Sequence, residues 1–363
     1  MSTLSDRCDD FCRRFGLRVP ILLAPMAGAC PPSLSIAVGE AGGMGGCGAL
    51  LFSPQEMREW TESVRAASAA PFQINLWVPE PPPSRNSEHE ARVRQFLAQW
   101  GPSVPESAAD EVPRDFTAQS EALLSLRPAV ASSIMGVFPS DLVTALKTAG
   151  IAWYAVATTV NEAMLAEAAG ADVIVAQGME AGGHRGCFDN AAAERQQVGL
   201  FALLPQVVDA VRLPVVATGG IADARGIAAA LLLGASAVQI GTALLRCPEA
   251  HLPQAWSDAL AEARPEDTTL TRAFSGRAGR ALVTDYVRAA AAPNAPSPAP
   301  YPVQRGLSGP MRRKAIEQGT VRTMQAWAGQ AASLARPEPA AHTVQRLWRE
   351  ALGLLEGSRS RST

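Results

Sequence analysis

Short apolar runs recur along the chain, each bounded by glycine, proline or small polar residues. Ile21 to Ala24, Gly43 to Gly48, Phe72 to Leu76, Ala129 to Ile134, Ala152 to Ala157, Val173 to Ala176, Pro214 to Ala217 and Ala237 to Ile240 read as eight buried strands. Between the later runs lie alanine- and leucine-rich segments of helical character, at Ser140 to Ala149, Val160 to Ala169, Ala202 to Val211 and Ala224 to Leu233. Strands alternating with helices predict βαβ units and a parallel sheet. Eight such units predict a TIM (β/α)8 barrel, whose active site lies at the carboxyl ends of the strands. An open doubly wound sheet is the alternative. It calls for a glycine fingerprint after the first strand with an acidic residue roughly 20 positions on, whereas this first strand runs into Pro25-Met26-Ala27-Gly28.

Two stretches break the alternation. Residues 79–127 open on Glu80-Pro81-Pro82-Pro83-Ser84 and then turn helical over Glu88 to Trp100 and Arg114 to Leu126, as expected of a helical insertion or cap after the third strand. Residues 286–363 hold a proline-rich stretch, Pro293 to Pro302, followed by helices, and are expected to form a helical C-terminal extension packing near the active site. The barrel is therefore divided between residues 1–78 and 128–285. Tyr301, inside the proline-rich stretch, points to a ligand-lining loop as much as to a linker.

Composition narrows the function. Hydrophobic residues are 47% of the 363, enough for a large core, and charged residues only 18%. A net charge of −2 provides no basic footprint for nucleic acid. The six cysteines are scattered, and Cys8 with Cys12 lacks the second ligand pair that a zinc site requires, so no metal is expected. Met1 to Phe15 carries charge and no apolar core of a signal peptide, and no apolar run is long enough for a membrane span, so a cytoplasmic enzyme is expected.

Two glycine-rich places carry the candidate chemistry. Thr218-Gly219-Gly220-Ile221 follows the seventh strand and Gln239-Ile240-Gly241-Thr242 ends the eighth. Small residues let backbone N–H groups close around a phosphate, barrels often bind phosphate in these two loops, and Ala222-Asp223 offers a helix cap just beyond. There is no Gly-x-x-x-x-Gly-Lys-Ser/Thr, which argues against a nucleoside triphosphate; flavin mononucleotide (FMN), with one terminal phosphate, fits. The second place is Gln177-Gly178-Met179-Glu180-Ala181-Gly182-Gly183-His184-Arg185-Gly186, after the sixth strand. It sets one of only four histidines in a glycine-rich turn at a strand's carboxyl end. His184 reads as a general base near neutral pH or as a ring that bonds a backbone carbonyl. Arg185 reads as a phosphate partner or a loop charge, Glu180 as a turn-stabilising carboxylate rather than a second base, and Thr158-Thr159 as structural. Cys187 beside His184 has no signature of a nucleophile.

Together these residues resemble the nitronate monooxygenase family, formerly 2-nitropropane dioxygenases, from about Val19 to Ala281 and most specifically over Gln177 to Gly186. Pro25-Met26-Ala27-Gly28, Gln73-Ile74-Asn75, Ser275-Gly276-Arg277 and Trp327-Ala328-Gly329-Gln330 also look like family features, and Tyr301-Pro302 like a substrate-pocket element. The resemblance implies an FMN enzyme on a TIM barrel. It implies flavin contacts from Pro25, Met26, Ala27, Asn75, Gln177, Gly182 and Gly183, a phosphate grip from Gly219, Gly220, Gln239, Ile240, Gly241 and Thr242, His184 facing substrate as the catalytic residue, and Tyr301 in the substrate pocket. It implies oxidation of alkyl nitronates by O2, with neutral nitroalkanes as further substrates, to a carbonyl compound and nitrite. The expected partners are that small molecule and O2, with no nucleic acid or membrane and with a homodimer left open. A flavin-type enoyl-acyl-carrier-protein reductase using NAD(P)H is the alternative enzyme, and a phosphate-binding barrel without redox chemistry the alternative class.

Overall fold

The computed structural model describes residues 4–359; residues 1–3 and 360–363, the outer ends of the first and last expected segments, lie outside them. Eight parallel strands form one sheet: β1 (Ile21–Leu23), β2 (Gly45–Gly48), β3 (Phe72–Trp77), β4 (Val130–Ile134), β5 (Ala152–Ala157), β6 (Val173–Gln177) and, after a two-residue strand β7 (Gly183–His184) that lies outside it, β8 (Val215–Thr218) and β9 (Ala237–Ile240). The order β1-β9-β8-β6-β5-β4-β3-β2 is that of a barrel, and it closes where Leu22 bridges Met44, with Leu23 N donating to Met44 O at 2.9 Å. Each expected strand is present, within two residues of its expected ends.

The helices follow chain order: α1 (Leu4–Phe15), α2 (Pro32–Glu40), α3 (Pro54–Ala67), α4 (Ser87–Leu97), α5 (Phe116–Leu126), α6 (Ser140–Ala149), α7 (Val160–Ala168), α8 (Leu200–Ala210) and α9 (Ala224–Leu232). Their starts are written in local chemistry. Ser53 and Glu56 form a reciprocal capping box at α3, and the Asp223 carboxylate accepts from Gly226 N to cap α9. At the far end of α6, Gly150 takes the left-handed φ of +72° that closes the helix without a Cβ clash. Strand residues alternate: Leu23, Ile74 and Ala176 pack outward on the helices, while Leu22, Tyr154, Val175 and Val216 fill the barrel. α1 stoppers the amino-terminal end of the barrel, its Phe15 ring edge-on to buried Tyr154 with centroids 5.2 Å apart.

The excursions differ from the expectation in two respects. Within residues 79–127, α5 packs on α3, β3 and α6, as the barrel's own helix after the third strand does, so the segment outside the barrel layout is 79–115 with α4. After β9 come α10 (Gln254–Glu262), a small antiparallel sheet of β10 (Thr268–Thr271) and β11 (Gly279–Leu282) with β7, then α11 (Asp285–Ala290), α12 (Val303–Leu307), α13 (Gly309–Glu317) and α14 (Ala340–Arg359). The ring of barrel helices is completed by α14, which lies between α9 and α2. Period reading registers the alternation but not an eighth helix delivered about a hundred residues late. Val93, Leu97 and Ala109 of the first excursion share an apolar cluster with Phe274, Tyr286, Leu307 and Met311 of the second. Among the described residues no helix is long and apolar enough to cross a membrane.

Candidate active site

A cavity of about 410 Å³ opens at the carboxyl ends of the strands. It is lined by Pro25, Met26, Ala27, Asn75, Gln177, Gly182, Gly183, His184, Gly219, Gly220, Gln239, Gly241, Thr242 and Tyr301. Thus every residue for which the resemblance implies a contact or catalytic role lines one cavity, except Ile240. Strand alternation turns that side chain out into the helix-facing core, and its carbonyl already accepts from Ala24 N at 2.9 Å.

The two glycine bends are adjacent. Thr218 pairs in register with Gln239, and its hydroxyl donates to the Gln239 carbonyl at 2.9 Å. Gly219 and Gly220 hold φ of +111° and +69°, conformations that a side chain strains. No protein acceptor takes the N–H groups of Gly219, Gly220 or Gly241 among the described residues. Unpaired backbone N–H groups facing a cavity are the donor set of an anion site. Beneath them the barrel interior turns polar: Gln73 donates to Gln239 Oε1 at 3.0 Å, and Asn75 donates to Ser132 Oγ at 3.1 Å.

The histidine loop is fixed from three sides. Gln177 Nε2 donates to His184 O, and its Oε1 accepts from Gly186 N at 2.8 Å, so one side chain clamps both ends of the turn. β7 pairs antiparallel with β11, placing His184 opposite Gly279. Trp327 to Gln330 lies across the loop: Gly329 N donates to Thr242 Oγ1 at 3.0 Å and Gln330 N to Glu180 O at 3.0 Å. A Cβ on Gly182 would sit 2.5 Å from Gly329 N, so only glycine allows this crossing.

His184 itself is half-buried between Trp77 and Trp327, ring centroids 4.7 and 4.8 Å away. Its Nε2 lies 2.8 Å from the hydroxyl of Ser275, which also accepts from Arg277 N and donates to Arg277 O at 3.2 Å. Burial, and then the charge of Arg277, push the imidazole pKa from 6.5 down to about 3. The sequence reading places it near neutrality, because neither the apolar cage nor Arg277 is local in sequence. The sign is direct: the ring is neutral, with a free lone pair, throughout the neutral range. The kcat/KM profile should therefore lack an inflection near the ordinary histidine value of 6.5. Steady-state rates between about pH 5 and about pH 8 check this; a titration at 6.5 that disappears in His184→Asn would contradict it.

The remaining candidates are structural. Arg185 is buried and donates to the carbonyls of Gln177, Thr158 and Gln196, away from the glycine bends. Glu180 accepts Leu200 N at the start of α8, Thr159 caps α7, and Thr158 bonds Glu162. Cys187 is buried with its thiol pKa raised, unlike a nucleophile. Sequence reasoning assigned no role to Trp77, Ser275 or Trp327. Trp77 was within reach of it, standing two residues beyond Asn75 on the same strand face.

The sequence model of the nitronate monooxygenase family matches residues 12–350. A nitronate monooxygenase of Paraburkholderia phytofirmans is 39% identical over 92% of this chain and 93% of its own. Among solved structures, a nitroalkane oxidase from Streptomyces ansochromogenes is 36% identical with a TM-score of 0.85, covering 96% of this chain and 98% of that one. FabK from Thermotoga maritima is 26% identical with a TM-score of 0.75, covering 97% and 98%.

Proposed function

The chain belongs to the nitronate monooxygenase family, and on that premise we propose that its cavity holds FMN and that His184 is the base that admits neutral nitroalkanes as well as nitronates. The family relationship makes the chain a flavin-dependent oxidoreductase that oxidises nitronates or nitroalkanes. The observation that carries the FMN reading is the pair of adjacent bends with unpaired N–H groups at Gly219, Gly220 and Gly241. One anionic cradle suits one terminal phosphate, with Met26, Asn75, Gln177 and Gly182 along the rest of the cofactor. Bound there, the flavin supplies the electron transfer by which O2 converts the nitronate carbon to a carbonyl and releases nitrite.

The protein's own residues supply orientation and proton handling. Proton abstraction at His184 Nδ1 requires the ring proton on Nε2. Ser275 accepts that proton in a hydrogen bond because its own hydroxyl donates to Arg277 O. A base with so low a pKa is strengthened by the anion it creates: the nitronate charge beside the ring favours the imidazolium. Trp77 and Trp327 pack against the ring from two sides and fix its orientation. We read residues 79–115 with 285–317 as a cap over this mouth, supported by their shared apolar cluster and by Arg305 and Arg312 on the cavity wall.

The cofactor assignment is tested by releasing the chromophore with heat and weighing it: FMN is expected, and FAD would overturn the assignment. Ser275→Ala should lower kcat on nitroalkanes about three- to tenfold, the worth of one hydrogen bond, with flavin content unchanged. A loss that is equal on preformed nitronates would show that Ser275 does not act through the base. The reductase alternative is less supported, because the FabK likeness is the more distant one.

A further inference from the structure

A second cavity of about 520 Å³ lies beside the first. The two share three wall residues, Leu50, Trp77 and Tyr301. The Trp77 and Tyr301 rings pack with centroids 5.5 Å apart, and Trp77 presses edgewise on His184 from the same position. We infer that the second cavity is an apolar extension of the substrate pocket that Trp77 and Tyr301 keep closed off from His184, and that Trp77 is thereby the residue that limits substrate length. The inference rests on the nitronate-oxidising reading of the site.

Two observations set the chemistry of the chamber. Its walls are largely proline and aliphatic, from Pro79, Pro81 to Pro83, Val78 and Val303. Every charged residue on them is neutralised within the protein: Glu80 by Arg277 at 2.9 Å, Asp110 by Arg85 at 3.2 Å, Glu111 by Arg305 and Arg114 by Glu56 at 3.6 Å. The guanidinium of Arg277 leaves Nε and Nη2 without acceptors, but it lies over the Trp77 ring at 5.9 Å. A space whose charges are already spent accepts a hydrocarbon chain rather than a second ion. Trp77 stands between His184 and the second cavity, so on this inference its ring sets how far the chain of a substrate held at His184 extends.

The test compares wild type, Trp77→Leu, Trp77→Phe and Tyr301→Leu on ethyl, butyl and octyl nitronates. In parallel, calorimetry measures the dissociation constants of propanoate and octanoate, whose carboxylates mimic the nitronate head. Opening the partition should raise the octyl-to-ethyl ratio of kcat/KM at least about tenfold in Trp77→Leu, as burying two further methylenes implies. Octanoate should tighten relative to propanoate by a similar factor. Trp77→Phe should fall between, and Tyr301→Leu should move the same way, which keeps the test intact if Trp77→Leu does not fold. Uniform loss at all chain lengths with unchanged alkanoate ratios would overturn the inference, as would a wild type that already handles octyl as well as ethyl chains. Should wild type fail to oxidise ethyl nitronate at all, the reading of the reaction fails instead, and the alkanoate ratios still decide the chamber.

Discussion

His184→Asn should cut turnover of neutral nitroalkanes by about 10²–10⁴, the range of a positioned proton transfer, while the protein stays yellow. The asparagine keeps a polar group between Trp77 and Trp327 and within the Ser275 environment, but it has no lone pair basic enough to take a proton from carbon. Preformed nitronate should lose much less, because its proton is already gone. Side-by-side rates on nitroethane and on its nitronate give the result. Equal losses on the two would remove the base assignment and leave His184 as a ring that shapes the pocket.

The second large effect is expected at the cradle. A Cβ on Gly241 would meet Ala24 Cβ and Met26 Sδ, each at 3.2 Å, so Gly241→Val pushes its branched side chain against a cavity-lining methionine. Overpacking of this kind costs about 1–3 kcal/mol, which corresponds to flavin binding about five- to 150-fold weaker. Flavin-to-protein ratios after gel filtration, with thermal melts of the flavin-free forms as the control for folding, measure it. Retention equal to wild type would place the phosphate elsewhere.

Much of this was legible in the sequence because it is local. The apolar runs set the eight barrel strands, since strands buried on both faces are mostly apolar, with a few buried polar residues such as Gln73, Asn75 and Gln239. The glycines of the two bends and the histidine turn stand beside the strand ends that deliver them. What was not legible is non-local. The apolar cage of His184 comes from β3 and from Trp327, 143 positions downstream of the histidine. Its hydroxyl partner comes from Ser275, 91 positions away. The low pKa follows from that assembly, so a reading of the turn alone sets the imidazole near neutrality. Helix α5 was hidden for a related reason: it reads as helical, but only its packing on α3 and α6 marks it as barrel rather than insertion. The side chain of Ile240 turns out to the helices, an alternation of strand faces that a motif read as a block does not register.

The central claim is that a flavin gripped by the two bends lets this chain oxidise a nitronate with O2 beside His184. Mixing the purified protein with ethyl nitronate in air, without any nicotinamide, and following O2 uptake together with nitrite release tests it most directly. The account predicts that both proceed together and that NAD(P)H bleaches the flavin poorly under anaerobic conditions. No O2 uptake with nitronate, joined to rapid bleaching by NAD(P)H, would contradict it.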